Sequence, residues 1–547
     1  MLGLMQHQPL LISAMIEHAA RHHHDGEIVS RRVEGDIHRY TYTELAERSR
    51  QVANALDASS IAQGDRVATL AWNGYRHMEL YFGVSGSGRV LHTINPRLHP
   101  EQIAWIINHA EDVVLCFDTS FLPLIEAVHA KCPGVKHWVA LCDADKLPAD
   151  TSIPNLLSYE AWIGPHSTQY QWPVLDENTA SSMCYTSGTT GNPKAALYSH
   201  RSTALHAYGA AMPDVMCLSA TDAVLPVVPM FHVNAWGLPY AAAITGAKVV
   251  FPGPAMDGKS IYELVEAEGV TMAAGVPTIW QMLLGYMLPN NLRFSTLNRT
   301  VIGGAACPPA MIKTFEDVLK VKVLHAWGMT EMSPLGTLGK LKNKQLKLSE
   351  AEQQKILEKQ GRTVYGVDMK IVDEQGKELP WDGKTYGDLL VHGPWTIAKY
   401  YKQEGKDPLV YDAQGIGWFP TGDVATIDSD GFMQITDRSK DVIKSGGEWI
   451  SSIDIENIAM AHPSVALAAS IGVPHPKWDE RPIVVVALKP EQLLTREELL
   501  AFYEGKLAKW QIPDDVVFVD SIPLGATGKL LKTRVREMLS DYKLPTA

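Results

Sequence analysis

Cysteine is scarce in this sequence, and nothing in its placement suggests a bond or a metal. The six are Cys116, Cys132, Cys142, Cys184, Cys217 and Cys307. None forms a CxxC pair or falls at metal-ligand spacing, which argues against a disulfide framework and a zinc module. They read as scattered buried thiols in a reducing cytoplasm. No run of about 18 apolar residues occurs, so no membrane span is expected. The opening MLGLMQHQPLLISAMIEHAA has neither a basic start nor a cleavage pattern, and it reads as an amphipathic helix and not a signal peptide. His22-His23-His24 is too short for a metal tract and reads as a solvated helix end. Positive charge is also short: 49 Lys and Arg against 61 Asp and Glu leave a net −12. Phosphate backbones need a dense basic face, so no nucleic acid partner is expected. Internal repeats and low-complexity segments are absent.

What is present is length and an ordinary globular composition: 547 residues, 46% apolar and 20% charged. At about 100–200 residues per domain, that is two to four units. The first half alternates helical and strand-like segments. Tyr42 to Leu56 has helical apolar spacing behind Thr41 and Thr43 as caps. Arg66 to Trp72 reads as a strand followed by a turn at Asn73-Gly74, and Val113–Phe117, Lys136–Leu141 and Lys248–Phe251 read as further strands. Ser260 to Glu268 is helical. The pattern predicts α/β layers around largely parallel sheets. From Met369 the segments become short and strand-like, with turns at 373–376 and 428–431, predicting a β-rich subdomain. Lys340 to Gln360 reads as a charged, solvated helical excursion. After Asp437 a small α+β pattern follows: helix Ile453–Ala461, strands Ala466–Val473 and Ile483–Leu488, helix Arg496–Trp510, strand Val516–Val519. The expected division is 1–437 and 438–547.

Five motifs carry the chemistry. Thr186-Ser-Gly-Thr-Thr-Gly-Asn-Pro-Lys194 joins two glycines, four hydroxyls and a lysine, a composition that can curl around an anion; its bland alternative is a polar hairpin turn. It is not a Walker loop, because Lys194 does not directly follow a glycine and a strand-like Ala195–Tyr198 comes next. The others are His325-Ala-Trp-Gly-Met-Thr-Glu331 with the upstream Gly303-Gly-Ala-Ala306, then Trp418-Phe-Pro-Thr-Gly-Asp423 with Asp437-Arg-Ser-Lys-Asp441, then Ile443 to Ile450, and last Gly525-Ala-Thr-Gly-Lys529. A lone glutamate or lysine among these would mean little; the order makes them specific.

In that order they resemble the adenylate-forming superfamily of acyl-CoA synthetases, firefly luciferases and nonribosomal peptide adenylation domains. The likeness runs from about Tyr40 to Lys532. It implies an α/β fold with a large N-terminal domain that binds AMP and acid, and a small mobile C-terminal domain. It implies that Thr186, Ser187, Gly188, Thr189, Thr190, Gly191 and Lys194 hold the triphosphate, that Trp327 flanks adenine, that Thr330 contacts phosphate, and that Glu331 holds Mg²⁺ through hard carboxylate oxygen. Asp423 would accept both ribose hydroxyl protons, with Arg438 as its ribose and phosphate partner. Lys440 would be the hinge, Lys529 the catalytic lysine, and Lys444, Gly446, Gly447, Glu448 and Trp449 the lining of a coenzyme A tunnel. The family usually has glycine after the loop lysine, where this chain has Ala195.

The implied reaction joins a carboxylic acid, ATP and coenzyme A through an acyl-adenylate, releasing AMP and pyrophosphate. His232, Trp236, Gly303 and Gly304 are the implied acyl pocket. His232 stands where amino-acid-activating relatives have aspartate, so an ammonium substrate is not expected. Phe231 to Pro239 and Trp478 to Pro482 look most like bacterial medium-chain fatty acyl-CoA ligases and methylmercaptopropionyl-CoA ligases. The expected acid is a short- to medium-chain fatty acid, with 3-methylmercaptopropionate as the alternative. A carrier-protein loader, a non-CoA adenylating enzyme and a nucleotide sensor are the readings of other classes. A homodimer is compatible with the sequence, which does not itself set the number of copies.

Overall fold

The structure is a computed structural model that describes residues 1, 3–186, 193–403, 407–445, 448–525 and 530–544, with Glu448 and Trp449 described by backbone alone. Among the described residues, four sheets carry the chain. The first has seven strands, in the order Leu157–Ser158, His137–Ala140, Asp112–Phe117, Arg66–Leu70, Val90–Thr93, Ala180–Tyr185 and Ala195–Ser199. All its pairings are parallel except the last. The second has nine strands, with a parallel centre running from Glu27–Arg31 through Lys248–Phe251, Ala223–Pro226, Met272–Gly275 and Arg299–Ile302 to Lys322–Gly328. Both match the expected α/β layers. Strands of this kind read as near-continuous apolar runs because helices cover both faces.

The helices that fill the space between the two sheets are buried to an unusual degree. Every residue of Tyr75–Gly86 is buried, including Arg76 and Glu79. Burying such charges is tolerable only when they are paired. Glu79 accepts from Arg48 Nε and from Tyr159 OH, both at 2.7 Å. Arg76 is held by Glu34, Asp143 and Glu160. Tyr42–Ala58 begins as the sequence predicts, with a full capping box between Thr41 and Glu44.

The third sheet is antiparallel and starts at Asp368, where the β-rich subdomain was expected: Asp368–Val372, Tyr386–His392, Val410–Tyr411, Gly417–Ile427 and Met433–Arg438. The fourth belongs to the small C-terminal domain. Its long hairpin Val465–His475/Asp479–Leu488 is flanked by Ile443–Ser445 and, in parallel, by Asp515–Phe518. Apolar clusters pack on each face of it, one around Ile455, Val484 and Tyr503, the other around Ile471, Val485 and Val535. The change from third to fourth sheet falls between Arg438 and Ile443. Across that turn, Ser452 N donates to Asp437 Oδ2 at 2.7 Å and Ser451 Oγ to the Thr436 carbonyl at 2.6 Å.

Four local expectations need correction. The first helix is Ile12–His22 and does not extend over the opening residues; Pro9 lacks the amide donor a helix interior needs. Its end at His22-His23-His24 is solvated, as expected, with His22 and His24 exposed. The helix predicted over Arg496–Trp510 stops at Tyr503, and Gly505 just beyond takes a left-handed φ of 75°. Lys340 to Gln360 is helical over Glu350–Leu357, with one 3₁₀ turn at Asn343–Lys347, and it buries Gln345 and Gln360. Five cysteines are buried, but Cys217 is exposed. Among the described residues no helix is long and apolar enough to cross a membrane.

Asn73 closes the joint between the two parallel sheets. Sequence reading makes it a turn residue; the fold buries it. Its amide nitrogen donates to the Pro226 and Val228 carbonyls at 2.7 and 2.8 Å, and its Oδ1 accepts from Met230 N at 2.6 Å. Replacing Asn73 with alanine orphans three buried backbone groups, and we expect a stability loss of about 3 kcal/mol. Urea denaturation of the variant checks this; a midpoint unchanged from the parent would show that the joint is held elsewhere.

Candidate functional site

One cleft of about 1010 Å³ opens between the large domain and the C-terminal domain. It is lined by Thr186, Lys194, His232, Trp236, Gly303, Gly304, Trp327, Thr330, Glu331, Arg438 and Lys440, so most of the expected site residues whose side chains are described converge on it. Parallel strands end at its rim: Lys322–Gly328 delivers Trp327, and a single 3₁₀ turn over Thr330–Met332 then delivers Glu331. Clefts at the strand ends of α/β sheets are where such folds place ligands.

Asp423 is buried, 4% exposed. It lies opposite Arg438 on the neighbouring antiparallel strand, and Arg438 Nε meets its Oδ1 at 2.9 Å. Its Oδ2 accepts from Trp327 Nε1, also at 2.9 Å. The expected adenine-side aromatic is thus bonded directly to the expected ribose carboxylate, a contact the sequence does not reveal. His325, two residues before Trp327, is a core histidine. Its Nε2 accepts from Cys307 N at 3.2 Å, its Nδ1 donates to the Glu358 carbonyl, and burial pushes its pKa down to about 4.

Ala180–Tyr185 and Ala195–Ser199 pair antiparallel, so the hydroxyl-rich segment is also a hairpin connection. Its closing pair is described: Thr186 N donates to the Lys194 carbonyl, and Lys194 N to Thr186 Oγ1. Ser187, Gly188, Thr189, Thr190 and Gly191 lie outside the described residues. So do Gly446, Gly447, the side chains of Glu448 and Trp449, and Lys529. Gly525 and Leu530, which bracket Lys529 in sequence, line the cleft, and Leu524 bridges Leu530 in an antiparallel pair. Lys444 is exposed on the strand Ile443–Ser445, and its amide donates to Glu480. Lys440 is exposed in the turn between the third and fourth sheets.

The wall of the cleft expected to take the acid has a backbone feature without any sequence signal. Val233, Asn234, Ala235 and Trp236 all have φ between 46° and 56°, four consecutive non-glycine residues in a left-handed turn. Each costs roughly 1–2 kcal/mol, so the surroundings must hold the turn in place. Asn234 is the fastener: its amide donates to Ser182 Oγ at 3.0 Å and its oxygen accepts from Tyr81 OH. The turn lays the Trp236 indole against Gly303 and Gly304. A methyl on Gly303 would stand 3.3 Å from Trp236 Cη2 and 2.9 Å from the Ala326 carbonyl, which explains the small residues.

Sequence reasoning also missed Tyr400. Its hydroxyl donates to Glu331 Oε1 at 2.7 Å, and its ring lies 5.0 Å from Lys194 Nζ. No motif pointed to it.

This build recurs in known enzymes. The fold superposes on that of the anthranilate CoA ligase AuaEII, solved in complex with anthranoyl-AMP, with a TM-score of 0.85 and 24% identity over 97% of this chain and 98% of the other. The class of fold is therefore that of this enzyme, α/β with a large N-terminal and a small C-terminal domain. Residues 16–401 match the AMP-binding enzyme family and residues 454–529 its C-terminal domain, and the chain belongs to that family. Relatives cover almost its whole length. A 3-methylmercaptopropionyl-CoA ligase of Ruegeria lacuscaerulensis is 53% identical over 99% of both chains. A medium-chain-fatty-acid–CoA ligase of Ectopseudomonas oleovorans is 50% identical over 100% of this chain and 98% of its own. Within the family the chain is an acid–thiol ligase.

Ala195 stands where the resemblance implies glycine. Here it is a buried strand residue with ordinary extended backbone, packed with Val90, Ala110 and Met183. Ala195→Gly should therefore leave turnover unchanged and lower stability by about 0.5–1 kcal/mol, the entropic cost of glycine in a strand. Thermal unfolding beside a steady-state assay measures both; a large activity change with unaltered stability would contradict it.

Proposed function

We propose that this ligase joins a short- to medium-chain fatty acid to coenzyme A, using ATP, and that the cleft residues divide the work as follows. The convergence of Lys194, Glu331, Leu524, Leu530 and Arg438, the last paired with Asp423, on one cleft carries the reading. A carboxylate is a poor acyl donor because oxide leaves badly. Its oxygen attacks the α-phosphorus of ATP, the bond to pyrophosphate breaks, and the acid becomes an acyl-adenylate. The thiol sulfur of coenzyme A then attacks the acyl carbon. A C–S bond forms, the bond to AMP breaks, and the thiol proton is lost.

The first step brings two anions together, so cationic and donor groups preset for the developing charge are what the protein supplies. Lys529 takes the position between carboxylate and α-phosphate, and Thr330 and the 186–194 segment with Lys194 hold the phosphates. Asp423 and Arg438 fix the ribose. Magnesium fits Glu331: the cation prefers hard oxygen and keeps most of its ligands from phosphate and water. Among the described residues no cluster of His, Cys, Asp and Glu could cage a metal by itself. Bound with ATP, the ion would spread charge on the phosphate oxygens.

The second step needs the thiol where Lys529 stood. A division at 437/438, with rotation about Lys440 and a coenzyme A tunnel lined by Lys444 and 446–449, meets that need. Lys440 is exposed, as a residue changing its backbone angles in solvent must be. Coenzyme A, ATP and the acid are the partners. A homodimer is compatible with this reading and enters none of its steps, and nucleic acid is no partner for a chain of net charge −12. Five buried thiols suit a cytoplasmic setting.

The 53% identity to a 3-methylmercaptopropionyl-CoA ligase supports a second acid. Methylmercaptopropionate is nearly isosteric with pentanoate, and a thioether packs much as a methylene does. One pocket can serve both.

Incubation with ATP, Mg²⁺ and hexanoate, with and without coenzyme A, tests the core: AMP and thioester should accumulate together, and only when the thiol is present. Thioester formation without AMP release would refute the route. Lys529→Ala should cut adenylation by a factor of roughly a hundred or more, as loss of a transition-state charge partner does. Thioester formation from supplied acyl-adenylate should survive; an equal fall in both half-reactions would remove Lys529 from this role. Across acids, kcat/KM should peak at short to medium length. Each buried methylene adds about 0.8 kcal/mol until the chain meets Trp236. Trp236→Ala should move the peak toward longer acids, and a parent profile already peaking at palmitate would defeat the pocket assignment.

A further inference from the structure

Tyr400 belongs to none of the five motifs, yet it touches two of them at once. It lies on the segment Trp395–Tyr401, which threads between the second sheet and the hairpin of the first. The segment is fastened by backbone at both sides: Ile397 N donates to the Glu331 carbonyl and Tyr401 N to the Ala195 carbonyl, each at 2.9 Å. Trp395 anchors its start, with Nε1 donating to the Leu335 carbonyl. Phe419 packs edge-on against the Tyr400 ring, with centroids 6.2 Å apart. The ring is thus set by the fold before any ligand arrives.

From that position the two ends of one side chain serve two charges. The hydroxyl donates to Glu331 Oε1 at 2.7 Å, and the ring face lies 5.0 Å from Lys194 Nζ. A carboxylate that accepts a hydrogen bond on one oxygen loses rotamer freedom and keeps its other oxygen for a cation. Among the described residues, the second oxygen of Glu331 has no hydrogen-bond partner. An ammonium over an aromatic face is held without being neutralised, so it stays available to phosphate. We propose that Tyr400 is a positioning residue that presets Glu331 and Lys194 for the metal–triphosphate. This rests on the reading that those two groups face the triphosphate.

Burial and the neighbouring Glu331 carboxylate hold the Tyr400 phenol well above its usual pKa, so it remains a donor throughout the working range. The inference therefore predicts no pH dependence of its own. What it predicts is a split between half-reactions. Adenylation handles the triphosphate; thiolation starts after pyrophosphate has left. Loss of Tyr400 should weaken the first and spare the second.

The test uses the whole chain and three variants. Tyr400→Phe keeps the ring and removes the hydroxyl; Tyr400→Leu removes both; Glu331→Gln is the control for the metal ligand. Binding of ATP with Mn²⁺ in place of Mg²⁺ is read by electron paramagnetic resonance of free Mn²⁺, without turnover. Pyrophosphate exchange against Mg²⁺ concentration and thioester formation from supplied acyl-adenylate complete the set. Tyr400→Phe should raise the Mn²⁺ dissociation constant and the half-saturating Mg²⁺ about tenfold or more, the worth of one hydrogen bond to a charged group. Thiolation and melting temperature should not change. Tyr400→Leu should lose more, through a higher KM for ATP as Lys194 loses its platform. If Glu331→Gln shifts metal binding and Tyr400→Phe does not, the proposal falls while the Glu331 assignment stands. If Glu331→Gln shifts nothing, the assignment falls and takes the proposal with it. Equal losses in both half-reactions with a lower melting temperature would make Tyr400 merely structural and also overturn it.

Discussion

The buried carboxylate of Asp423 is the point on which the site depends. At 4% exposure it has given up most of its water, and its two oxygens are met by the Trp327 indole and the Arg438 guanidinium. Such an exchange is tolerable only if the geometry is good. The contact fixes three things together: the end of a strand in the large parallel sheet, the middle of a long strand in the antiparallel sheet, and the last ordered strand before the C-terminal domain. The wall of the cleft that carries Trp327 and Arg438 is assembled around that junction.

The wall that carries Trp236 depends on a different kind of order. A left-handed turn of four non-glycine residues stores strain that Asn234 offsets through Ser182 and Tyr81. Its product is a tryptophan laid over two glycines. Strain at such a place is affordable because the layers behind it are densely buried: the helix Tyr75–Gly86 has no exposed residue, and Asn73 stitches the sheets next to Met230. A rigid scaffold thus carries an irregular wall, while the opposite wall comes from a separate small domain joined through an exposed turn.

Much of this was legible in the sequence because it is local. Hydrophobic periodicity and caps located the helix at Tyr42 and the strands at Arg66, Asp112 and Lys248 to within a residue or two. Motifs such as Thr186–Lys194, His325–Glu331 and Trp418–Asp423 are contiguous, so their composition alone marks them, and the order in which they occur points to one family. The errors were local as well. One helix ends before Gly505 and another begins after Pro9, where single residues set the boundary.

By itself, then, the sequence determined the class of fold, the adenylate-forming chemistry and the residues inside each motif, since these follow from short-range pattern. The tertiary structure alone decided which motifs meet and what joins them. Trp327 bonds to Asp423 across 96 residues, Tyr400 to Glu331 across 69, and Asn73 to Met230 across 157. No periodicity or motif encodes such pairs, because hydrogen bonds between distant segments depend on the layering of sheets and helices that brings those segments together.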